Sequence, residues 1–149
     1  MENNKEINSN TCMIISKSEN ECIMIDTKKD EKINMSLKKF LNYNCEYYGS
    51  SFEGRIKGSQ NALGMKYKLP IIIEESKEII FFPTKAYNNE DCIWVSLNNI
   101  SSYEENNSST LVTFKSGKKY NLELSIESFE NQVLRASKLL LILKSRKQN

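Results

Sequence analysis

The residue types best suited to chemistry occur together between Cys45 and Gly58. This stretch holds three of the five glycines, the adjacent pair Ser50 and Ser51, and one of three arginines, Arg55. Glycine has no side chain, so the backbone beside it can approach a ligand closely. No acidic residue occurs from position 54 to 73, and the basic residues there are Arg55, Lys57, Lys66 and Lys68. A positive, glycine-rich segment of this kind predicts an anion site, and a nucleic-acid backbone is the commonest large anion.

Composition gives little support for catalysis or metal binding. The chain contains no histidine, which is the usual general base for a serine or cysteine nucleophile. Ser50, Ser51 or Cys45 would need activation by a lysine or a carboxylate, so we predict that the protein is not an enzyme. The cysteines form no CxxC pair, which argues against structural zinc; they are Cys12, Cys22, Cys45 and Cys92. We expect four buried thiols in a reducing cytoplasm and no cofactor.

Charge is sorted along the chain although the net charge is only +2. Residues 45–73 sum to +2, residues 74–107 to −5, residues 108–125 to +2 and residues 126–149 to +3. If the basic segments meet in space, they form a positive patch despite the low total. The first ten residues have no apolar core, and the longest apolar run is far shorter than the ~20 residues that span a bilayer. We therefore expect a cytoplasmic protein without a membrane partner.

Apolar runs bounded by polar turns predict three hairpins and one further strand. The hairpins are expected at 12–16 with 21–26, at 70–74 with 79–83 and at 111–114 with 119–124, and the single strand at 92–97. Residues 28–31 are predicted to be a solvated connection and 101–109 a surface loop. The fold class is therefore α+β, with about six mostly antiparallel strands, a short helix near 36–43 and a long C-terminal helix near 126–144. The expected organisation is a disordered segment at 1–10, one domain at 11–144 and a polar tail at 145–149.

The C-terminal helix is apolar around more than one face. Ile126, Phe129, Val133, Ala136, Leu140 and Leu143 recur at spacings of three and four. The additional apolar residues include Leu139, Leu141 and Ile142. Either they belong to the core, or they form a second face that docks on another chain and serves as an oligomer interface.

Six blocks of the sequence, in matching order and at similar spacing, resemble the ComK family of competence transcription factors. The blocks are CEYYGSSFEGR at Cys45–Arg55, the strand entry Lys68–Ile71, IIFFPT at Ile79–Thr84, the pair Cys92 and Trp94, TFKSGK at Thr113–Lys118 and SFENQVLR at Ser128–Arg135. They span roughly residues 10 to 140. One such block alone would carry little weight, whereas six in register make a specific match.

The resemblance implies a DNA-binding transcriptional activator of bacterial competence. Members of the family recognise AT-rich promoter boxes largely through the minor groove, as oligomers built from dimers. The implied partners are double-stranded AT-rich DNA, further copies of the chain, RNA polymerase and an adaptor that delivers the protein to a protease. The implied location is the nucleoid.

For that role, the acid-free segment and the third hairpin supply the candidate DNA contacts. Narrow A-tract minor grooves are strongly negative, so Arg55 is predicted to insert there, unless it pairs with Glu46 or Glu53. Ser50 and Ser51 are predicted to bind phosphate oxygens, or to cap a turn of helix instead. The lysines predicted to contact phosphates are Lys57, Lys66, Lys68, Lys118 and Lys119. In the block SFENQVLR, either Asn131, Gln132 and Arg135 reach DNA, or the block belongs to a helix laid on the sheet.

An alternative function follows from the same resemblance. The chain is also compatible with a C-terminally shortened paralogue that acts as a protein-interaction module and pairs with, or protects, a full-length relative. That alternative predicts dimerisation through the C-terminal helix and weak affinity for DNA.

Overall fold

A computed structural model describes residues 6–148 as nine strands, three α-helices and one short 3-10 helix at Leu97–Asn99. The strands are β1 (Thr11–Ser18), β2 (Glu21–Asp26), β3 (Asp30–Ile33), β4 (Ile71–Glu74), β5 (Ile79–Pro83), β6 (Ile93–Ser96), β7 (Ile100–Asn106), β8 (Ser109–Phe114) and β9 (Lys119–Leu122). The α-helices are α1 (Leu37–Tyr47), α2 (Phe52–Leu63) and α3 (Ile126–Lys147).

The larger sheet has six antiparallel strands in the order β3-β2-β1-β6-β5-β4. Two of the predicted hairpins form its two halves: Ile14 lies opposite Met24 in the first, and Ile71 lies opposite Phe81 in the second. Strand β6, which carries Trp94, pairs with both hairpins and joins them at the centre. The predicted α+β class is therefore confirmed.

A second sheet contains three strands in the order β7-β8-β9. The β8–β9 hairpin was predicted, and Gly117 occupies its turn with a φ of +95°, a conformation that glycine adopts without strain. Strand β7 lies within the segment predicted to be a loop, and that prediction is wrong. The segment looks polar because its outward residues are exposed, but Tyr103 pairs with Val112 and packs on Phe129 at a centroid distance of 4.9 Å.

The predicted connection at 28–31 is also partly a strand. β3 pairs with β2, and Ile33 at its end is buried in the core. The strand was missed because most of its residues are charged. Charged residues are common in edge strands such as β3, since they discourage pairing with other chains. Lys32 lies 3.8 Å from Glu21 across the ladder.

The larger sheet is covered on both faces. Ile14, Met24, Phe81 and Trp94 pack toward α1 and α2 on one face. The alternate residues, including Met13 and Phe82, pack toward the three-stranded sheet and α3 on the other. The protein thus has three layers, and the position of α2 relative to α3 at the β4 edge determines the candidate site described below.

Helix α1 begins where the sequence predicts, with Ser36 as N-cap accepting from the Lys39 amide, but it continues to Tyr47. Asn44 is buried within this extension, and both polar atoms of its side chain have partners: Oδ1 accepts from the Ile7 amide at 2.7 Å and Nδ2 donates to the Phe40 carbonyl. Ile7 is fully buried, so the predicted disorder does not hold for residues 6–10, while residues 1–5 lie outside the described residues.

Helix α3 begins after Ser125, whose hydroxyl accepts from the Ser128 amide, and it extends to Lys147 rather than 144. Basic residues in a last turn interact favourably with the helix dipole. Here Lys144 also pairs with Glu78, and Lys147 pairs with Glu75, in the turn between β4 and β5. The predicted polar tail is therefore mostly helix, and residue 149 lies outside the described part of the chain.

Candidate nucleic-acid interface

Two acid-free stretches of the sequence, residues 54–73 and 131–148, lie side by side at the β4 edge of the structure. Ala62 and Leu63 of α2 pack against the same core cluster as Leu139 of α3. Nearer the C-terminus of α3, Arg146 Nη1 donates to Asn61 Oδ1 of α2 at 2.9 Å. The two segments that lack acids therefore form one continuous surface.

Helical spacing places three of the five cations of α3 on one flank, and Arg146 on that flank contacts α2. Arg135, Lys138 and Arg146 are separated by three and eight residues, so they lie along one side of the helix. Together with the basic residues after Arg55 they form what we call the α2–α3 basic surface: Lys57, Lys66, Lys68, Arg135, Lys138 and Arg146. Lys57, Lys66, Lys138 and Arg146 are exposed, and Lys68 and Arg135 are half-buried.

The loop from α2 to β4 is held in one conformation. Gly64 ends α2 with a left-handed φ of +65°. Beyond it, the Lys68 carbonyl accepts from Gln132 Nε2 at 3.0 Å, and the Leu69 amide donates to the Tyr87 hydroxyl at 2.8 Å. Because both anchors are buried or half-buried side chains, the loop presents Lys66 and Lys68 at fixed positions beside α3.

The glycine-rich stretch itself is not the open loop that the sequence suggests. Its glycines Gly54 and Gly58 lie inside α2, and only Gly49, with a φ of +95°, forms the turn from α1. Ser51 is the N-cap of α2 and accepts from the Gly54 amide at 2.9 Å. A Cβ on Gly54 would come within 3.0 Å of that hydroxyl, so the small residue makes room for the cap. Of the two roles predicted for these serines, phosphate binding or helix capping, the structure shows capping for Ser51. Ser50, next to it in the sequence, is half-buried.

Arg55 is directed toward the β4–β5 turn, where it pairs with Glu75. Its Nη1 lies 3.0 Å from Glu75 Oε1, and its side chain is only 18% exposed. Lys147 binds the same carboxylate, so Glu75 joins α2, the β4–β5 turn and α3. The expected pairing with Glu46 or Glu53 is wrong, because the α2 register directs Arg55 toward the turn. DNA insertion by Arg55 stays a prediction that requires this ion pair to open.

Lys118 and Lys119 lie at the other end of the molecule. Lys118 Nζ donates to the Asp26 carbonyl at 2.7 Å and lies 3.5 Å from Asp30, which places the β8–β9 turn against β2 and β3. The β3 edge is opposite the β4 edge that α2 contacts. The predicted phosphate contacts therefore do not share one surface, although Lys119 is exposed.

The three residues of α3 that were predicted to form an oligomer interface differ in their exposure. Leu139 is fully buried in the core and cannot dock on a partner, which corrects that part of the prediction. Leu141 is 69% exposed, and Leu134, two helical turns earlier, is 61% exposed. Ile142 is half-buried. The core alternative explains Leu139, whereas Leu134 and Leu141 form the outward apolar part of the helix.

Sequence reasoning did not name Lys138 and Arg146, although the acid-free run from 131 to 148 was a readable signal. For Gln132 the sequence left two alternatives open, a DNA contact or a helix laid on the sheet, and the structure shows the second. Gln132 is buried, and its Nε2 donates to the carbonyls of Lys68 and Pro83, so it holds α3 on the sheet and the loop.

The four cysteine side chains are buried, as the sequence predicts. All four cysteines are free and buried. Burial raises the pKa of Cys22 to about 12 and that of Cys45 to about 11, with Arg55 acting in the opposite direction on Cys45. Within residues 6–148 no group of side chains is arranged to hold a metal ion, and no helix is long and apolar enough to cross a membrane.

Comparison with known proteins identifies a matching family and a curated relative. The family model described as ComK protein matches residues 2–148. The competence transcription factor of Bacillus subtilis (strain 168) is 33% identical over 106 residues, which are 70% of this chain and 55% of that protein. The chain thus matches about half the length of this curated relative. No solved structure gives a significant match.

Proposed function

The chain belongs to the ComK family, and on that premise we propose that it is a competence transcription factor that binds double-stranded DNA. The observation that carries the proposal is the α2–α3 basic surface, in which two acid-free segments distant in sequence form one cationic surface. Cations arranged on a rigid scaffold neutralise successive phosphates and release counterions, which supplies most sequence-independent affinity for DNA.

The surface is also suited to an AT-rich target. A-tract minor grooves are narrow and carry enhanced negative potential, so closely spaced lysine and arginine side chains favour them without reading base edges. The loop that carries Lys66 and Lys68 is anchored to α3 through the Lys68 carbonyl, and we infer that its cations enter the groove. Lys57, Lys138 and Arg146 flank the loop at positions suited to the bordering phosphates.

Binding to an AT-rich and a GC-rich duplex at two salt concentrations tests the proposal. We expect the AT-rich duplex to bind more tightly and both affinities to fall as salt rises, because released counterions drive the association. Fluorescence anisotropy with labelled duplexes measures both effects. Absence of binding to either duplex at low salt would overturn the proposed function, and equal affinity for both would overturn the AT preference alone.

Exposure of Leu134 and Leu141 favours a second element of the proposal, association of copies through α3. The two side chains lie two turns apart on the outer face of the helix, and such apolar surface commonly marks an interface. We expect the double substitution Leu134→Glu and Leu141→Glu to give a folded monomer from a larger species, as measured by analytical ultracentrifugation. A species of unchanged mass would exclude this face as the interface.

The same helix face would serve a protein-interaction module that pairs with a longer relative. The two functions separate in the DNA experiment, because an interaction module associates through α3 yet binds neither duplex tightly.

A further inference from the structure

Tyr67 is the most exposed of the large apolar side chains in the described residues. Its side chain is 79% exposed, although tyrosine buries a large apolar area when it is packed. It lies between Lys66 and Lys68 in the loop from α2 to β4. The loop therefore presents an unpartnered aromatic ring between two cations.

The position of Tyr67 is determined by the fold rather than by a flexible loop. Lys68 has a φ of +50°, a left-handed conformation that is unfavourable for a residue with a long side chain. The hydrogen bonds of Gln132 to the Lys68 carbonyl and of Tyr87 to the Leu69 amide maintain that conformation. Leu69 is fully buried immediately afterwards. Strain that the surrounding structure maintains is typical of a residue held for a ligand.

The surroundings of Tyr67 favour a polyanion over a protein. Arg135 Nη1 donates to Gln132 Oε1, so the loop anchor itself adjoins a cation of α3. No acidic residue occurs at positions 54–73 or 131–148, and Glu53 in the first turn of α2 lies 4.0 Å from Lys57. A protein-binding hot spot holds its aromatic ring in a well-packed pocket, whereas Tyr67 is 79% exposed between two lysines of the sequence. It does have the arrangement that nucleic-acid surfaces use, in which a ring contacts bases while flanking cations contact phosphates.

We propose that Tyr67 is a wedge residue for DNA. Its ring enters the minor groove while Lys66 and Lys68 contact the phosphates on either side, and it partly unstacks one base step and bends the duplex. Side chains inserted in this manner kink DNA by roughly 20–90°. AT-rich sites favour the step, because TA and CA steps are the easiest to unstack. This inference rests on the proposed function, since it assigns a residue and a deformation to the same surface.

Bending of a duplex with a donor and an acceptor dye at its ends tests the proposal by resonance energy transfer at saturating protein. We expect Tyr67→Ala to abolish the change in transfer and to raise the Kd by about tenfold. Tyr67→Phe keeps the ring and is expected to retain most of both effects. Tyr47→Ala is the control, because Tyr47 is also exposed but belongs to α1, which contributes no residue to the basic surface.

The possible results distinguish failure of the wedge role of Tyr67 from failure of DNA binding itself. Binding by the wild type with unchanged bending in Tyr67→Ala would overturn the wedge and leave DNA binding intact. A variant that bends DNA normally but self-associates less would assign Tyr67 to a contact between proteins instead. Lack of binding by the wild type would overturn both. Far-UV circular dichroism checks that each variant is folded. We expect the Tyr67 variants to fold, because the side chain is exposed.

Discussion

Replacing Lys57, Lys66 and Lys138 together by alanine is expected to weaken binding to an AT-rich duplex by about two to three orders of magnitude at 0.1 M salt. All three side chains are exposed, so their loss removes cations without opening the core. Each phosphate contact contributes about 0.9 to the slope of log K against log salt, and the slope should therefore fall by about 2.7. Anisotropy titrations at four salt concentrations give both quantities.

A triple variant of equal charge distinguishes location from net charge. Lys17, Lys28 and Lys39 are also exposed, but they lie on β1, after β2 and on α1. We expect Lys17→Ala, Lys28→Ala and Lys39→Ala together to change the slope by less than half as much, because these cations lie off the basic surface. Equal losses in the two triple variants would mean that overall charge, rather than the α2–α3 basic surface, drives binding.

Leu139→Ala is expected to lower the free energy of unfolding by about 2–5 kcal/mol. Leu139 is fully buried between α3 and the larger sheet, in the cluster that contains Phe82, Phe129 and Ala136. Truncation removes its apolar contacts and leaves a cavity that a packed interior fills only partly. Urea unfolding followed by tryptophan fluorescence measures the change, since Trp94 is fully enclosed in the folded protein.

Leu141→Ala is the matched control, with the same chemical change two residues away. Its side chain is 69% exposed, and a surface substitution usually changes stability by about 0.5 kcal/mol or less. Both variants are compared with the wild type at low and high protein concentration, because an interface at Leu141 would make the measured stability depend on concentration. Similar losses in both variants would contradict the orientation of α3.

Much of the fold was readable from the sequence because local patterns agree with their tertiary use. The hairpins at β1–β2, β4–β5 and β8–β9 combine apolar runs with polar turns, and the caps Ser36 and Ser125 precede periodic helices. Strands β3 and β7 were not readable, because their side chains are charged or polar and only pairing with β2 and β8 makes them strands. The β-propensity of a residue reflects its side chain, whereas these two strands form because a neighbouring strand pairs with their backbone.

The candidate site was only partly predictable. The acid-free run indicated Lys57, Lys66 and Lys68, which the structure places on one surface with cations of α3. Arg55 belongs to the same run, yet the helical register of α2 turns it toward Glu75. Lys118 looked equivalent in the sequence, but its hairpin lies against β2 and β3.

The sequence by itself determined the family, the fold class and the segments that carry excess positive charge. Those properties follow from residue types and local spacing, which do not depend on the rest of the chain. Only the tertiary structure decided which cations act together, because neighbours on a surface are chosen by helix register and sheet order. The Gln132 anchor brings the loop of Lys66, Tyr67 and Lys68 beside α3, across 64 residues of sequence. A contact of that span depends on the packing of the whole domain, and no local pattern encodes it.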